Sequence, residues 1–324
     1  MKKVRVEEAI GMIIPHDMTR IVPGEFKGAA FKKGHVIREE DIPLLKSMGK
    51  EHIYTLEIPE GHLHEMEGAQ RLAETIIGEH LILDDPREGK VNIRSDSKGI
   101  LKINVDALMD INSIDQITVA TKINNSAVDI NTLVAGAKIT PLTIDKKKLN
   151  QVENIVASKG NILNIWPFQN LKIGCIITGN EVYHGTIEDK FEEVFRRKVR
   201  EYAGEIIDVV FVPDDSNKIC EAVLQLKASG VDLIFTSGGM SVDPDDVTPE
   251  GVQRAGANLI SYGSPVFPGA MFMLAYLGDI AILGIPAAAI FHDRTALDHT
   301  FPRILVGEKL TAGDIAALGH GGLL

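Results

Sequence analysis

The stretch of residues 231–250, VDLIFTSGGMSVDPDDVTPE, constrains most strongly what this chain can fold into. Its first six residues are apolar apart from Asp232 and Thr236, which predicts a short strand buried on both faces of a parallel sheet. Gly238 and Gly239 then allow a turn at positive φ whose backbone N–H groups can wrap a phosphate or another oxyanion. The stretch therefore predicts a ligand site at the carboxyl end of a parallel strand, where open α/β sheets keep their sites.

Acidic residues and a helix start follow the two glycines. Asp243, Asp245 and Asp246 crowd the loop, and acids beside an anion-binding turn indicate a divalent cation between them and the ligand. Thr248 and Pro249 predict the N-cap and first residue of a helix whose N-terminus faces the same pocket. The alternative is a tight strand-to-helix connection with solvated acids, because Ser-Gly-Gly alone is a weak signal.

Length, charge and cysteine usage exclude several classes of protein. The 324 residues suffice for two or three domains, each with its own core. The net charge of -11 argues against a general nucleic-acid or anionic-membrane surface, because such partners need a basic field. Cys175 and Cys220 are expected to be buried free thiols, and no signal-peptide core follows the basic residues 1–5, so we expect a cytoplasmic protein.

The apolar segment 270–291 is long enough to be mistaken for a membrane span. Gly278 and Asp279 form a two-residue turn signal between MFMLAYL and IAILGI, and Pro286 interrupts the remainder. The segment is therefore predicted to be a buried β-hairpin and a helix start inside a soluble domain.

The first half of the chain divides into a small α+β region, residues 1–57, and an α+β domain with β-hairpins, residues 58–165. The pattern VNIRSDSKGILKINV at 91–105 predicts a hairpin that turns at 95–99. His62, His64 and Glu65 are interpreted as a surface cluster, because their spacing directs them to different sides and no second ligand pair is evident.

The remaining residues, 166–324, alternate apolar strands with amphipathic helices. Strands are predicted at 171–178, 206–212 and 231–236, with helices at 189–202 and 216–230, the second capped by Ser216. This order predicts an α/β fold, with a three-layer, doubly wound, mostly parallel sheet in the C-terminal half and an α+β N-terminal half. The loops after the strands then gather polar residues at one edge of the sheet.

These loops resemble those of the molybdopterin-binding domain shared by proteins of molybdenum-cofactor biosynthesis, including the adenylyltransferases and molybdenumtransferases. TGNE at 178–181 is similar to the family's TGDE turn, VPD at 212–214 to its VPD element, and TSGGMS at 236–241 to its glycine-rich loop. DVTP at 246–249 is similar to the adenylyltransferase branch. Residues 1–57 resemble the amino-terminal part of the molybdenumtransferases.

The resemblance implies a ligand, a metal and a set of site residues. The ligand is molybdopterin or its adenylylated form, with Mg²⁺ and molybdate as partners, in a homo-oligomer that is a dimer or a trimer. Asp214 and Asp246 are implied to be catalytic, and together with Asp243 to hold the metal. The implied pterin-binding residues are Thr178, Gly179, Asn180, Glu181, Ser237, Gly238, Gly239, Met240, Ser241, Pro268 and Gly269.

The chain also departs from the family pattern. Where the molybdenumtransferases have PGKP flanked by lysine, residues 267–271 read FPGAM and carry no cation; their LPGNP turn is replaced at 284–289 by GIPAAA. Asn180 stands where TGDE has aspartate, and we expect no counterpart of the carboxy-terminal β-barrel in the residues 304–324.

Three functions therefore stay open. The first is a magnesium-dependent enzyme, similar to the molybdenumtransferases or the adenylyltransferases, that acts on the pterin phosphate. The second is a non-catalytic carrier of molybdopterin or the finished cofactor. The third is a nucleotide-acting protein similar to the competence-damage proteins.

Overall fold

The computed structural model describes residues 2–22, 26–240 and 247–324. The chain separates into two compact units, one made of Met1–Ser97 and Leu101–Ile165 and the other of Lys98–Ile100 and Trp166–Leu324. The three-part division expected from the sequence stays a prediction.

From the start of the chain to Pro167 the elements are short. The described strands are β1 Lys2–Arg5, β2 Met18–Val22, β3 Phe26–Phe31, β4 His52–Thr55, β5 His62–His64, β6 Leu81–Leu83, β7 Lys90–Ser95, β8 Gly99–Ile103, β9 Ile117–Thr121, β10 Ala127–Val128, β11 Leu133–Ile139, β12 Thr143–Asp145 and β13 Leu163–Pro167. The described α-helices are α1 Ile42–Ser47, α2 Glu65–Ile76, α3 Val105–Asn112 and α4 Lys146–Lys159, and 3₁₀ turns occur at Val6–Glu8 and Glu39–Asp41.

The first unit has two hydrophobic cores. A small core joins residues of β1, β3, β4 and α1, among them Val4, Phe31, Leu45 and Ile53. A larger core lies under α2, which buries Ala69, Leu72, Ala73 and Ile76 at helical spacing against the sheet β6-β7-β11-β9.

The hairpin predicted at 95–99 is wrong. β7 pairs with β6 and β11, whereas β8 lies in a different sheet with the order β10-β8-β13. The antiparallel hairpin lies one strand earlier, between β6 and β7, where Leu81 pairs with Ser95. β7 and β8 follow each other in sequence and have the pattern of a hairpin, but each pairs with strands other than its neighbour.

The interpretation of His62, His64 and Glu65 as a surface cluster is also wrong. His64 ends β5 and Glu65 begins α2, and these two residues are only 3% and 7% exposed. The His64 ring nitrogen Nδ1 accepts a hydrogen bond from the Met66 backbone N–H at 3.3 Å, so His64 caps the helix. His64 also pairs with Thr143 of β12, a strand almost eighty residues away.

The second unit contains one six-stranded sheet. Its strands are β14 Lys172–Thr178, β15 Glu205–Val212, β16 Leu233–Ser237, β17 Asn258–Tyr262, β18 Met273–Leu277 and β19 Ile280–Ile285, in the order β15-β14-β16-β19-β18-β17. The pairings from β15 to β19 are parallel, and β18 pairs antiparallel with β19 and β17. The sheet is therefore mixed, with the predicted parallel strands together on one side.

Helices cover both faces of this sheet. The described helices are α5 Asn180–Tyr183, α6 Phe191–Glu201, α7 Ser216–Ala228, α8 Thr248–Arg254, α9 Ala288–Phe291, α10 Ala296–Leu305 and α11 Ala312–Ala317. One core joins the sheet to α6 and α10, for example Phe195 and Phe301, and the other joins it to α7 and α8, for example Val223 and Val252. The predicted α/β fold with three layers is confirmed.

The structure corrects the predicted start of α7. Asp215, not Ser216, caps this helix, because the Asp215 carboxylate accepts from the backbone N–H groups of Asn217 and Lys218 at 2.8 and 3.2 Å. Of the two cysteines, Cys175 is buried as expected and Cys220 is half-buried.

The apolar segment 270–291 is a hairpin followed by a short helix, as predicted. Leu277 pairs with Ile280 across a turn in which Gly278 has a φ of 67°, and α9 begins at Ala288. In the part of the chain that the structure describes, no helix is both long and apolar enough to cross a membrane.

Candidate functional site

The loop after β16 is shaped by its two glycines. Gly238 and Gly239 have φ values of 81° and 53°, a region that side chains with a Cβ disfavour. A Cβ on Gly238 would lie 2.3 Å from the Thr178 carbonyl oxygen, so the loop passes too close to β14 for any side chain there. The local backbone therefore requires glycine at this position, as the sequence suggested.

Two threonine hydroxyls hold the carbonyl groups of this loop. Thr178 Oγ1 donates to the Ser237 carbonyl at 3.0 Å, and Thr248 Oγ1 donates to the Gly238 carbonyl at 2.9 Å. The Gly239 carbonyl accepts from the Thr248 backbone N–H at 3.1 Å. The N–H groups of Gly238, Gly239 and Met240 donate to no described residue. Among the described residues these three donors thus have no acceptor, which is compatible with an anionic ligand at this loop.

The predicted N-cap role of Thr248 is wrong. Thr248 is the first residue of α8 and is fully buried, and its hydroxyl serves the glycine loop instead of the helix start. The threonine is therefore used to shape the loop, and α8 has only seven residues.

A cavity of about 340 Å³ opens beside the glycine loop. Its lining comes from the loop, from two later loops of the same sheet edge and from the first residue of α6: Gly238, Gly239, Met240, Gly269, Ala270, Met271, Ile285, Pro286, Ala287, Ala288 and Phe191. None of these described lining residues is charged. The volume lies at the lower end of the range for small-molecule sites.

The first two loops of the parallel sheet are joined by a reciprocal pair of hydrogen bonds. The Asn180 backbone N–H donates to Asp214 Oδ2 at 2.9 Å, and the Asp214 backbone N–H donates to Asn180 Oδ1 at 3.3 Å. Asn180 is exposed and Asp214 half-buried. An aspartate at position 180 would set a second carboxylate against that of Asp214, so asparagine keeps the link without charge repulsion.

The structure brings only some of the predicted site residues together. Gly238, Gly239, Met240 and Gly269 line the cavity, and Thr178 and Ser237 are buried beneath the glycine loop. Gly179, Asn180, Glu181 and Asp214 belong to the two neighbouring loops, where Glu181 is exposed. Pro268 follows a cis peptide bond and is not part of the lining. Ser241, Asp243 and Asp246 lie outside the described residues.

The metal set stays a prediction for the same reason. Within the described ranges, no three His, Cys, Asp or Glu side chains are grouped to hold a metal ion. Asp214 Oδ2 is engaged by Asn180, while Oδ1 accepts no hydrogen bond from a described residue. The chemistry of the Asp214 carboxylate therefore fits a Mg²⁺ ligand with one oxygen to offer.

Sequence reasoning missed several contributors to the site, and two of them show why. Phe191 lines the cavity although it precedes the glycine loop by almost fifty positions, and the Thr248 hydroxyl shapes the loop. The only signal for Phe191 is its place after the helix-capping residue Asp189, whose carboxylate accepts from the Phe191 N–H at 2.9 Å. That signal locates a helix start but does not show what the ring faces.

The fold and the loop geometry define an α/β domain with a cavity at the carboxyl edge of the parallel strands, where open α/β sheets keep their sites. Residues 174–301 match the family described as "Probable molybdopterin binding domain", and the recognition of such a domain in this part of the chain is confirmed. Residues 3–57 match a second family, described as "Domain of unknown function (DUF8806)".

The curated relatives match parts of the chain. A molybdopterin molybdenumtransferase of Haemophilus influenzae is 26% identical over 161 residues, which are 48% of this chain and 37% of that protein. A CinA-like protein of Mycobacterium tuberculosis is 37% identical over 84 residues, 26% of this chain and 19% of that protein. The chain thus spans little more than a third of the first of these relatives.

Among solved structures, the molybdopterin biosynthesis enzyme MoaB from Thermus thermophilus is 21% identical to this chain. The likeness covers 43% of this chain and 98% of that one, with a TM-score of 0.35.

Proposed function

We propose that this protein binds molybdopterin, or its adenylylated form, and acts in molybdenum-cofactor biosynthesis in the cytoplasm as a homo-oligomer, a dimer or a trimer. One observation carries the proposal. In the glycine loop after β16, Thr178, Thr248 and the Thr248 backbone N–H donate to the carbonyl groups of Ser237, Gly238 and Gly239. The N–H groups of Gly238, Gly239 and Met240 donate to no described residue, and these three residues line a cavity within the segment that matches the molybdopterin-binding family. Such a loop suits the phosphate of a pterin ligand.

The proposed chemistry is a magnesium-dependent transfer at the pterin phosphate, similar to that of the adenylyltransferases or molybdenumtransferases. Asp214, with Asp243 and Asp246, would hold Mg²⁺, which offsets phosphate charge when bound. Asn180 orients the Asp214 carboxylate by donating its backbone N–H at 2.9 Å. The loop amides would stabilise the charge that develops on the phosphate oxygens.

Two observations concern the other functions. The described lining of the cavity carries no charged side chain, which favours a carrier that holds molybdopterin without chemistry. A CinA-like protein matches 84 residues at 37% identity, so this part of the chain is not similar to molybdenum-cofactor proteins alone, and the alternative of a protein that acts on nucleotides is kept.

Product analysis separates these functions. The protein is incubated with molybdopterin, ATP, Mg²⁺ and molybdate, and with adenylylated molybdopterin in a second reaction. Newly adenylylated pterin, or AMP released from the adenylylated form, supports the enzyme; pterin that stays bound and unchanged supports the carrier. A nucleotide that binds while pterin does not would contradict the proposal.

The variant Asp214→Asn tests the proposed metal ligand. It should retain pterin binding and lose turnover by about a hundredfold or more, because a metal contributes several kcal/mol at the transition state. Asp279→Asn is the matched control, since Asp279 is fully exposed in the turn between β18 and β19, at the other end of these strands. Turnover by Asp214→Asn at the wild-type rate would contradict the assignment.

A further inference from the structure

Phe191 lines the cavity and is fixed through its backbone at the start of α6. It is the first residue of α6, and the Asp189 carboxylate accepts from the backbone N–H groups of Phe191 and Glu192 at 2.9 and 2.8 Å. This cap fixes the backbone from which the half-exposed ring projects.

A row of buried aromatic rings supports Phe191 from behind. Its ring centroid lies 6.1 Å from that of Phe195, which lies 5.4 Å from Phe235, which lies 5.0 Å from Phe301. The last three rings are fully buried. A ring so supported has little side-chain freedom to lose when a ligand binds, which favours affinity.

The wall on which Phe191 lies is uncharged. Ala270 and Met271 come from one loop and Pro286 and Ala287 from another, and none of these four side chains carries a charge. A charged group buried there would lose its hydration without a partner in the lining. A flat, neutral heteroaromatic ring would lose little hydration and would meet the face of an aromatic side chain.

We propose that Phe191 is the stacking residue for an uncharged planar ring, so that this end of the cavity binds the pterin ring while the glycine loop binds the anionic group of the same ligand. The identity of the ring rests on the proposed function; the stacking role does not. A carboxylate, a phosphate or molybdate gains no partner on this wall.

The test is a fluorescence titration with phosphate-free pterin as the probe. Phe191→Ala should weaken binding about 5- to 100-fold, the range that loss of one aromatic stacking partner gives, and Phe191→Trp should retain it. Phe291→Ala is the matched control, because Phe291 is 78% exposed and does not line this cavity. Wild-type affinity should also stay constant between low and high salt, since no ion pair is formed.

The outcomes separate this inference from the proposed function. The stacking role would be overturned if folded Phe191→Ala and Phe191→Leu bound pterin with wild-type affinity. It would also be overturned if the wild-type protein bound molybdopterin but had no affinity for phosphate-free pterin. Binding of adenosine instead of pterin, with the same dependence on Phe191, would support the stacking role and overturn the proposed ligand. Thermal unfolding of each variant establishes that the fold is retained.

Discussion

Glu65→Gln should stabilise the first unit at neutral pH. Glu65 begins α2 and is 7% exposed, and its carboxylate makes no ion pair or hydrogen bond with the described residues. Its two oxygens lie under the turns at Gly34 and Gly89, where a Cβ would come within 2.5 and 2.8 Å of them. Burial raises the pKa of Glu65, and the attraction of Lys138 and Lys33 offsets this only in part.

The raised pKa fixes the sign of the pH dependence. A carboxyl group whose pKa is higher in the folded than in the unfolded state does not reduce stability at low pH, where it is protonated in both states. The loss of stability grows as the pH rises from the unfolded-state pKa to the folded-state pKa, and it is complete above the folded-state pKa. Each unit by which the pKa is raised removes about 1.4 kcal/mol of stability at neutral pH. The glutamine keeps the shape and removes the charge, so we expect the free energy of unfolding to rise by about 1 kcal/mol at pH 7.

Denaturant unfolding at pH 4 to 8 measures this gain, and hydrogen exchange of the α2 amides assigns it to the first unit. Glu74→Gln is the control, because Glu74 lies on the same helix, is exposed, and accepts a hydrogen bond from Gln70. Burial also lowers the pKa of His64, so the folded protein loses stability when the pH falls below the pKa that His64 has in the unfolded chain. This loss is the same in the wild type and in both variants, and it cancels when their stabilities are subtracted. A difference between Glu65→Gln and wild type that does not change with pH would refute the reasoning.

Two further predictions concern the second unit. Gly239→Ala puts a Cβ 2.7 Å from Thr248 Oγ1, whereas Gly278→Ala meets no atom within 4 Å, and both have positive φ. Gly278→Ala should lose about 1 kcal/mol of stability because of its positive φ, and Gly239→Ala should lose more because its Cβ also displaces Thr248. Only Gly239→Ala should weaken the binding of molybdopterin in a titration, and equal molybdopterin affinities would contradict the proposed contact between the loop and the phosphate. Lys198→Met removes the ammonium 2.5 Å from Asp298, which is 4% exposed, and should destabilise the unit by about 3 kcal/mol in denaturant unfolding. A loss below about 1 kcal/mol would show that the remaining partners of Asp298 suffice.

The location of the site could be predicted because its signals are local. A parallel strand buried on both faces is a short apolar run, and β14 and β16 are such strands, whereas β15 has a similar apolar sequence but lies partly exposed at the sheet edge. The requirement for glycine after β16 arises from the backbone of that turn and its approach to Thr178. Three parallel strands with helices between them place their loops at one edge of the sheet.

What could not be predicted depends on distant partners. The alternating pattern of β7 and β8 is correct for two strands, but pattern alone does not choose a partner, and β7 pairs with β11 from about forty residues further on. The cap of α7 is predicted one residue late, at Ser216 instead of Asp215, because aspartate and serine are both good caps. The burial of His64 and Glu65 depends on distant segments, since His64 pairs with Thr143 of β12 and Glu65 lies under the turns at Gly34 and Gly89, which their spacing does not reveal.

The two ends of the cavity make opposite demands on a ligand. The glycine loop has N–H donors without a described acceptor, so it favours an anion, whereas the wall of Phe191, Ala270 and Pro286 favours a neutral ring. An inorganic anion would satisfy only the loop and a simple aromatic ring only the wall. A ligand that carries both groups makes both contacts but loses its translational and rotational entropy only once. It should therefore bind more tightly than either fragment, which is the effective-concentration effect. Molybdopterin joins a pterin ring and a phosphate. Its association constant should therefore exceed the product of the association constants of pterin alone and phosphate alone.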